Sequence, residues 1–188
     1  MSKLSGKTKA KARKDERKKQ ARSKAKYIAS LQERIFKWDA PELKVLCEPV
    51  QAKEDISNHV NDLKKVLSST KNGIGLSSNQ IGGNKRVFVI RTNEGVLVTF
   101  INPEIVEESE VKVPGREGCL SYPGTYTVVD RPWKLVLRYQ NEKMIEQRKE
   151  FMGLFAACIC HELEHLLGNE ACQVGKYWAS MKQFSKQS

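Results

Sequence analysis

His161-Glu162-Leu163-Glu164-His165 constrains this chain more than any other stretch, because of what precedes it. Phe151-Met152-Gly153-Leu154-Phe155-Ala156-Ala157-Cys158-Ile159-Cys160 is apolar nearly all round, the pattern of a helix buried on every side. Such a helix carries two imidazoles and two carboxylates into an interior, where each polar group needs a partner. Other elements must therefore wrap it. Helical residues four apart share a face, so both imidazoles can reach one metal ion. Glu162 lies about 100° further round, close enough to take a proton from water activated at that metal. Metal-assisted hydrolysis is the leading reading. The plainer one is an amphipathic helix with two surface histidines, and the apolar run weighs against it.

The rest of the chain supplies the wrapping. Residues 55–69 read as an amphipathic helix, with Ile56, Val60, Leu63 and Leu67 spaced for one buried face. Residues 86–91 (RVFVIR) and 96–101 (VLVTFI) are β-branched and aromatic runs joined by Asn93-Glu94-Gly95, the pattern of a hairpin that ends at Asn102-Pro103. Residues 111–113 and 134–139 read as further strands, and residues 150–167 as the long buried helix, stopped by Gly168-Asn169. The expected fold is α+β: short, mostly antiparallel strands packed around a central metal-bearing helix.

The charge is unevenly placed. Residues 1–26 hold 12 of the 33 Lys and Arg and 2 of the 22 Asp and Glu, so +10 of the formal +11 lies there. Between Ser5 and Lys26 the only apolar side chains are alanines, too little to fold alone. The expectation is a disordered basic arm over residues 1–30, helical when bound. It reads as a solubilising tail, as a salt-sensitive contact to nucleic-acid phosphates or, less well for want of bulky apolar residues along one helix face, as a mitochondrial transit peptide. No aromatic residue interleaves the charges before Tyr27, so base stacking is not indicated. A catalytic domain follows over 31–175, then a short tail over 176–188. No apolar run approaches the roughly 18 residues of a membrane span, and the basic N-terminus has no apolar signal region. Five cysteines without disulfide spacing point to the cytoplasm or another reducing compartment, an organelle or a virus-infected host cell included.

A catalytic metal commonly has three protein ligands. Six residues after His165 stands Ala171, and nothing acidic follows Glu170, so the third ligand is sought upstream. His59 is one candidate, but it has no companion ligand nearby and reads much better as an ordinary surface histidine. Cys119 is better placed, in Arg116-Glu117-Gly118-Cys119-Leu120-Ser121, where glycine permits close backbone approach and a thiolate is a strong ligand. Cys158 and Cys160 read as core thiols.

With these residues in view, three motifs resemble the signatures of the peptide deformylases: Gly73-Ile74-Gly75-Leu76-Ser77-Ser78-Asn79-Gln80, Glu117-Gly118-Cys119-Leu120-Ser121 and His161-Glu162-Leu163-Glu164-His165. They stand in the family's order, and the resemblance covers roughly residues 35–170. It implies metal-dependent hydrolysis of the N-formyl group from formyl-methionyl peptides of nascent proteins, with release of formate. By the same resemblance, Cys119, His161 and His165 hold the metal, natively Fe(II), with Zn, Ni or Co as substitutes. Glu162 is the general base. The Gln80 side-chain amide and the Leu120 backbone N–H stabilise the oxyanion. Ile74 and Gly75 run beside the substrate backbone. Leu154, Ala157 and Cys158, spaced along one side of the helix, are expected in the methionine pocket, and Arg131 is expected to pair with Glu117 behind the site.

The chain departs from the family pattern at Ser77 and Ser78, where alanines are usual, at Glu164, where aspartate is common, and at Cys160, where glutamine is usual. None of these removes a ligand or the base. The C-terminus lacks the long basic helix of many bacterial members, and the arm over residues 1–26 is expected to replace it as a contact to ribosomal RNA. Two other readings compete: a small metalloprotease, and a nucleic-acid-binding protein whose metal site is structural.

Overall fold

The computed structural model describes residues 6–168; the expected tail over 176–188, Asn169 and Cys172 lie outside them. Among these described residues, three α-helices, α1 (Gly6–Gln32), α2 (Ser57–Ser69) and α3 (Leu154–Leu166), accompany seven strands. The strands are β1 (Gly75–Ser77), β2 (Val87–Arg91), β3 (Leu97–Glu108), β4 (Lys112–Cys119), β5 (Tyr122–Pro132), β6 (Lys134–Gln140) and β7 (Glu146–Met152). Five of them form one antiparallel sheet in the order β1-β2-β3-β6-β7, and β4 and β5 form a separate antiparallel ribbon. The fold is α+β, as expected.

Period-two alternation along β2 divides the interior. Phe88 and Ile90 face one side, where Phe100, Leu135, Leu137 and Tyr139 join Ala156, Ile159, Cys160, Leu163 and Leu166 of α3. Val87 and Val89 face the other, where Leu76 and Ile101 meet Val60, Leu63, Val66 and Leu67 of α2. Each helix thus packs on its own face of one sheet. Strand β1 alternates likewise: Leu76 enters the α2 core, while Ser77 turns towards α3.

Several boundaries differ from expectation. The hairpin β2–β3 does not end at Asn102-Pro103. Asn102 takes a φ of 50°, its side chain bonds both backbone groups of Val50, and the strand bends there and continues to Glu108 against β6. The buried helix begins at Leu154 rather than 150, because Phe151 and Met152 belong to β7 and pair with Leu135 and Lys134. Gly153, at φ 56°, makes the change of direction. Strand β7 is a mostly exposed sheet edge rich in charge, which protects an edge from aggregation and also hides it from periodicity. The basic segment expected to lack fixed structure is given as α1, and its side chains from Lys11 to Tyr27 are all exposed. Packing begins only at its end, where Leu31 touches the α2 core. No helix among the described residues is long and apolar enough to cross a membrane.

Candidate metal centre

Helix α3 delivers His161, Glu162, Glu164 and His165 into the interior, each at most 7% exposed. It can do so because two other segments close over its polar side and a third ties them together. The first is the end of β4. A register shift between Gly118 and Cys119 sets Cys119 opposite Tyr122, and bulges of this kind re-aim side chains. Cys119 Sγ comes 3.2 Å from His165 Nε2, and the ligand atoms of Cys119, His161 and His165 all lie within 4.8 Å of one another. One thiol and two imidazoles converging on one point suit a divalent first-row metal ion. His59 is elsewhere, with Nε2 2.7 Å from Ser78 Oγ and burial holding its pKa below the usual histidine value.

Behind the three donors lies a buried charge network. Glu117 Oε2 is 3.1 Å from His161 Nδ1, the partner that fixes the ring orientation of a metal-binding histidine. Arg131, only 2% exposed, donates to both oxygens of Glu117 at 2.8 and 2.9 Å and to both oxygens of Glu164 at 2.5 and 3.0 Å. Burial works against the Glu117 charge, but Arg131 and His161 outweigh it and bring its pKa down to about 2. The expected pairing of Arg131 with Glu117 is present. Its second partner, Glu164, was not anticipated.

The second segment is β1 with the 3-10 turn Ser78–Ile81 that follows it. Gly75 lies so close to Glu162 that a Cβ there would collide with the carboxylate. Ser77 Oγ is 2.7 Å from Glu162 Oε2. Burial pushes the Glu162 carboxyl above its usual pKa, against the pull of His161, His165 and Ser77. Gln80 points its amide Nε2 at Ser121 Oγ, 3.1 Å away, and at Cys119 Sγ, 3.6 Å away. Asn79 Nδ2 donates to the His165 carbonyl at 2.5 Å and the Cys47 N–H to Leu166 O at 2.9 Å, so carbonyls at the end of α3 are satisfied.

The third segment links the arm to the site. After α1, the Phe36 N–H donates to Gln80 O at 2.9 Å and the Trp38 N–H to Ser121 O at 3.1 Å. This stretch fastens the turn carrying Gln80 and the β4–β5 corner side by side.

A cavity of about 370 Å³ opens onto these groups. Ile74, Gly75, Gln80, Cys119, Leu120, Leu154, Ala157, Cys158, His161 and Glu162 all line it, while His165, 1% exposed, sits behind. The structure therefore brings every expected site residue to one place. Cys158 is a thiol whose pKa burial raises well above the ordinary value, in keeping with a wall rather than a reactive group. The sequence reading missed Tyr122, Tyr126 and Arg116 on the same cavity, where Arg116 stacks 4.2 Å over the Tyr126 ring. They lie in the ribbon, and only its pairing shows that they face the metal donors.

The family model for polypeptide deformylase matches residues 32–173. The peptide deformylase of Agathobacter rectalis is 41% identical over 126 residues, covering 67% of this chain and 78% of that protein. Peptide deformylase 1 of Ralstonia nicotianae is 39% identical over 137 residues, covering 71% and 80%. The fold also superimposes on solved structures. One is that of PDF from the Vibrio parahaemolyticus bacteriophage VP16T in complex with actinonin, at a TM-score of 0.68 and 36% identity, covering 72% of this chain and 97% of that one. Another is a class I type b peptide deformylase from Acinetobacter baumannii with Met-Ala-Ser bound, at 0.64 and 29%, covering 72% and 92%.

Proposed function

This chain belongs to the polypeptide deformylase family and is an enzyme of that class, and we propose that it hydrolyses the N-formyl group of formyl-methionyl peptides of nascent proteins, releasing formate. The observation that carries this reading is the convergence of three metal donors, with a buried carboxylate and an amide donor beside them, at one cavity. Cys119, His161 and His165 would hold one divalent ion, natively Fe(II), with Zn, Ni or Co as substitutes. The ion would supply Lewis acidity, polarising the formyl carbonyl and making water a nucleophile near neutral pH.

The remaining steps belong to the chain. Glu162, its pKa raised by burial, takes the proton of the water that attacks the formyl carbon. As that carbon becomes tetrahedral, negative charge grows on its oxygen, and the Gln80 amide with the Leu120 N–H donates to it. The C–N bond then breaks, Glu162 returns its proton to the departing amine, and formate leaves. Ile74 and Gly75 form the strand edge beside the peptide backbone. Leu154, Ala157 and Cys158 give an apolar wall for the methionine side chain. Met-Ala-Ser, bound in the Acinetobacter baumannii relative, is the peptide that deformylation of formyl-Met-Ala-Ser would leave.

Formate release from formyl-Met-Ala-Ser, measured on protein prepared without oxygen and assayed for metal, tests this. Glu162→Gln should lower turnover by about 10²–10⁴-fold while metal content stays at the wild-type value. Cleavage of internal bonds in unformylated peptides would instead favour a protease, and a metal-loaded protein without turnover a structural metal site.

The chain divides in this reading into an arm over 1–30, a catalytic domain over 31–175 and a tail over 176–188, working in the cytoplasm or another reducing compartment. The exposed cationic side chains from Lys11 to Lys26 support contact with ribosomal RNA. Deleting residues 1–26 should abolish salt-sensitive co-sedimentation with ribosomes and leave tripeptide turnover intact; unchanged sedimentation refutes the contact.

A further inference from the structure

Ser77 is fully buried, yet its hydroxyl is surrounded by polar groups rather than by core. It closes the capping box of the turn Ser78–Ile81: Ser77 Oγ accepts the Gln80 N–H, and Gln80 Oε1 accepts the Ser77 N–H at 2.8 Å. A hydroxyl also carries one proton to donate. Its acceptors are Glu162 Oε2 at 2.7 Å and the Glu162 carbonyl at 2.9 Å, the shorter being the carboxylate. One side chain thus bonds both the residue that aims its amide at Cys119 and the residue proposed to move the proton, 85 positions away in the chain.

We infer that Ser77 is a positioning residue of the reaction, its hydroxyl accepting from Gln80 and donating to Glu162 so that proton carrier and oxyanion donor are held at one fixed separation. The geometry leaves few other constraints on the Glu162 carboxylate. Gly75 contributes only the close approach of its backbone, and His161 and His165 face one another and Cys119. Without the hydroxyl, the carboxylate can rotate while the α3 backbone stays in place. The capping bond into Gln80 Oε1 survives, because it comes from the Ser77 backbone. The loss should therefore fall on the chemical step rather than on substrate binding.

The inference rests on Glu162 and Gln80 having the roles proposed above, so Glu162→Gln is assayed beside Ser77→Ala with formyl-Met-Ala-Ser. Ser77→Ala should lower kcat by about tenfold, in proportion to a lost hydrogen bond to a charged group, with KM and metal content close to wild type and Tm lowered only by the lost capping bond. Its crystal structure should show the Glu162 carboxylate spread over more than one position. An unchanged kcat, or a fall that only follows lost metal or a loss of folded protein at the assay temperature, overturns the inference and leaves Ser77 a turn cap. Full activity in Glu162→Gln overturns the proposed function itself.

Discussion

Helices α2 and α3 have 13 residues each and pack on opposite faces of the same sheet, but they are stabilised differently. Helix α2 buries Val60, Leu63, Val66 and Leu67, so burial of apolar area is its main hold on the sheet, with His59 making an inward polar contact to Ser78. Helix α3 is buried on nearly every side from Ile159 to Leu166, two imidazoles and two carboxylates included. Its apolar face meets Phe88, Phe100 and Leu137, and its polar face is closed by β1 and the β4–β5 ribbon. A buried charge is tolerable only with a partner, so the ribbon had to bring Arg131 and Glu117, and β1 had to bring Ser77. The first helix shows how apolar burial holds an element in place, the second how partnered charge shapes a site. α2 needs mainly a surface to cover; α3 needs specific atoms at specific distances.

The sharpest way to break this contrast is Arg131→Met, which leaves Glu117 and Glu164 buried without their cation. Unfolding free energy should fall by about 3–5 kcal/mol, read from urea titration. Adding Glu117→Gln and Glu164→Gln should restore most of that loss, since the charges need one another more than the fold needs them. Activity should not return, because His161 would lack the carboxylate that orients it. A single Arg131→Met variant as stable as wild type would dissolve the distinction between the helices.

Next in size is Leu63→Ala on α2, at a side chain with no exposed surface. A cavity there should destabilise by about 2–4 kcal/mol, with formate release per folded molecule unchanged below the transition. A parallel loss of kcat would mean that the two faces of the sheet are mechanically coupled. Smallest is removal of residues 1–26, whose described side chains touch neither core. The unfolding free energy from urea titration should move by no more than about 0.5 kcal/mol, and a larger shift would give the arm a place in the fold.

How much was legible follows the same division. The apolar spacing of α2 is a local pattern, and so is the β2–β3 hairpin, whose turn glycine Gly95 takes a φ of 80°. Strand β7 was invisible because its mostly exposed, charged residues carry no alternation. Phe151 and Met152 extended the apparent helix because apolar residues at the end of an edge strand look like the beginning of a buried helix. At the site, Cys119, His161 and His165 were legible because metal chemistry restricts residue type and spacing. The bond from Ser77 to Glu162 was not, although Ser77 stood out as a departure from the family pattern. Nothing within a few residues of Ser77 says where its hydroxyl points.

By itself, then, the sequence determined the helix that must be buried, the donors it carries and the charge left on the arm, since these follow from residue type and short-range spacing. The tertiary structure alone decided which carboxylate Arg131 neutralises beside Glu117, which side chains close the cavity and which hydroxyl holds the base. Those depend on strand register and on contacts across 85 residues of chain, and a hydrogen bond is set by ångströms that no local pattern encodes.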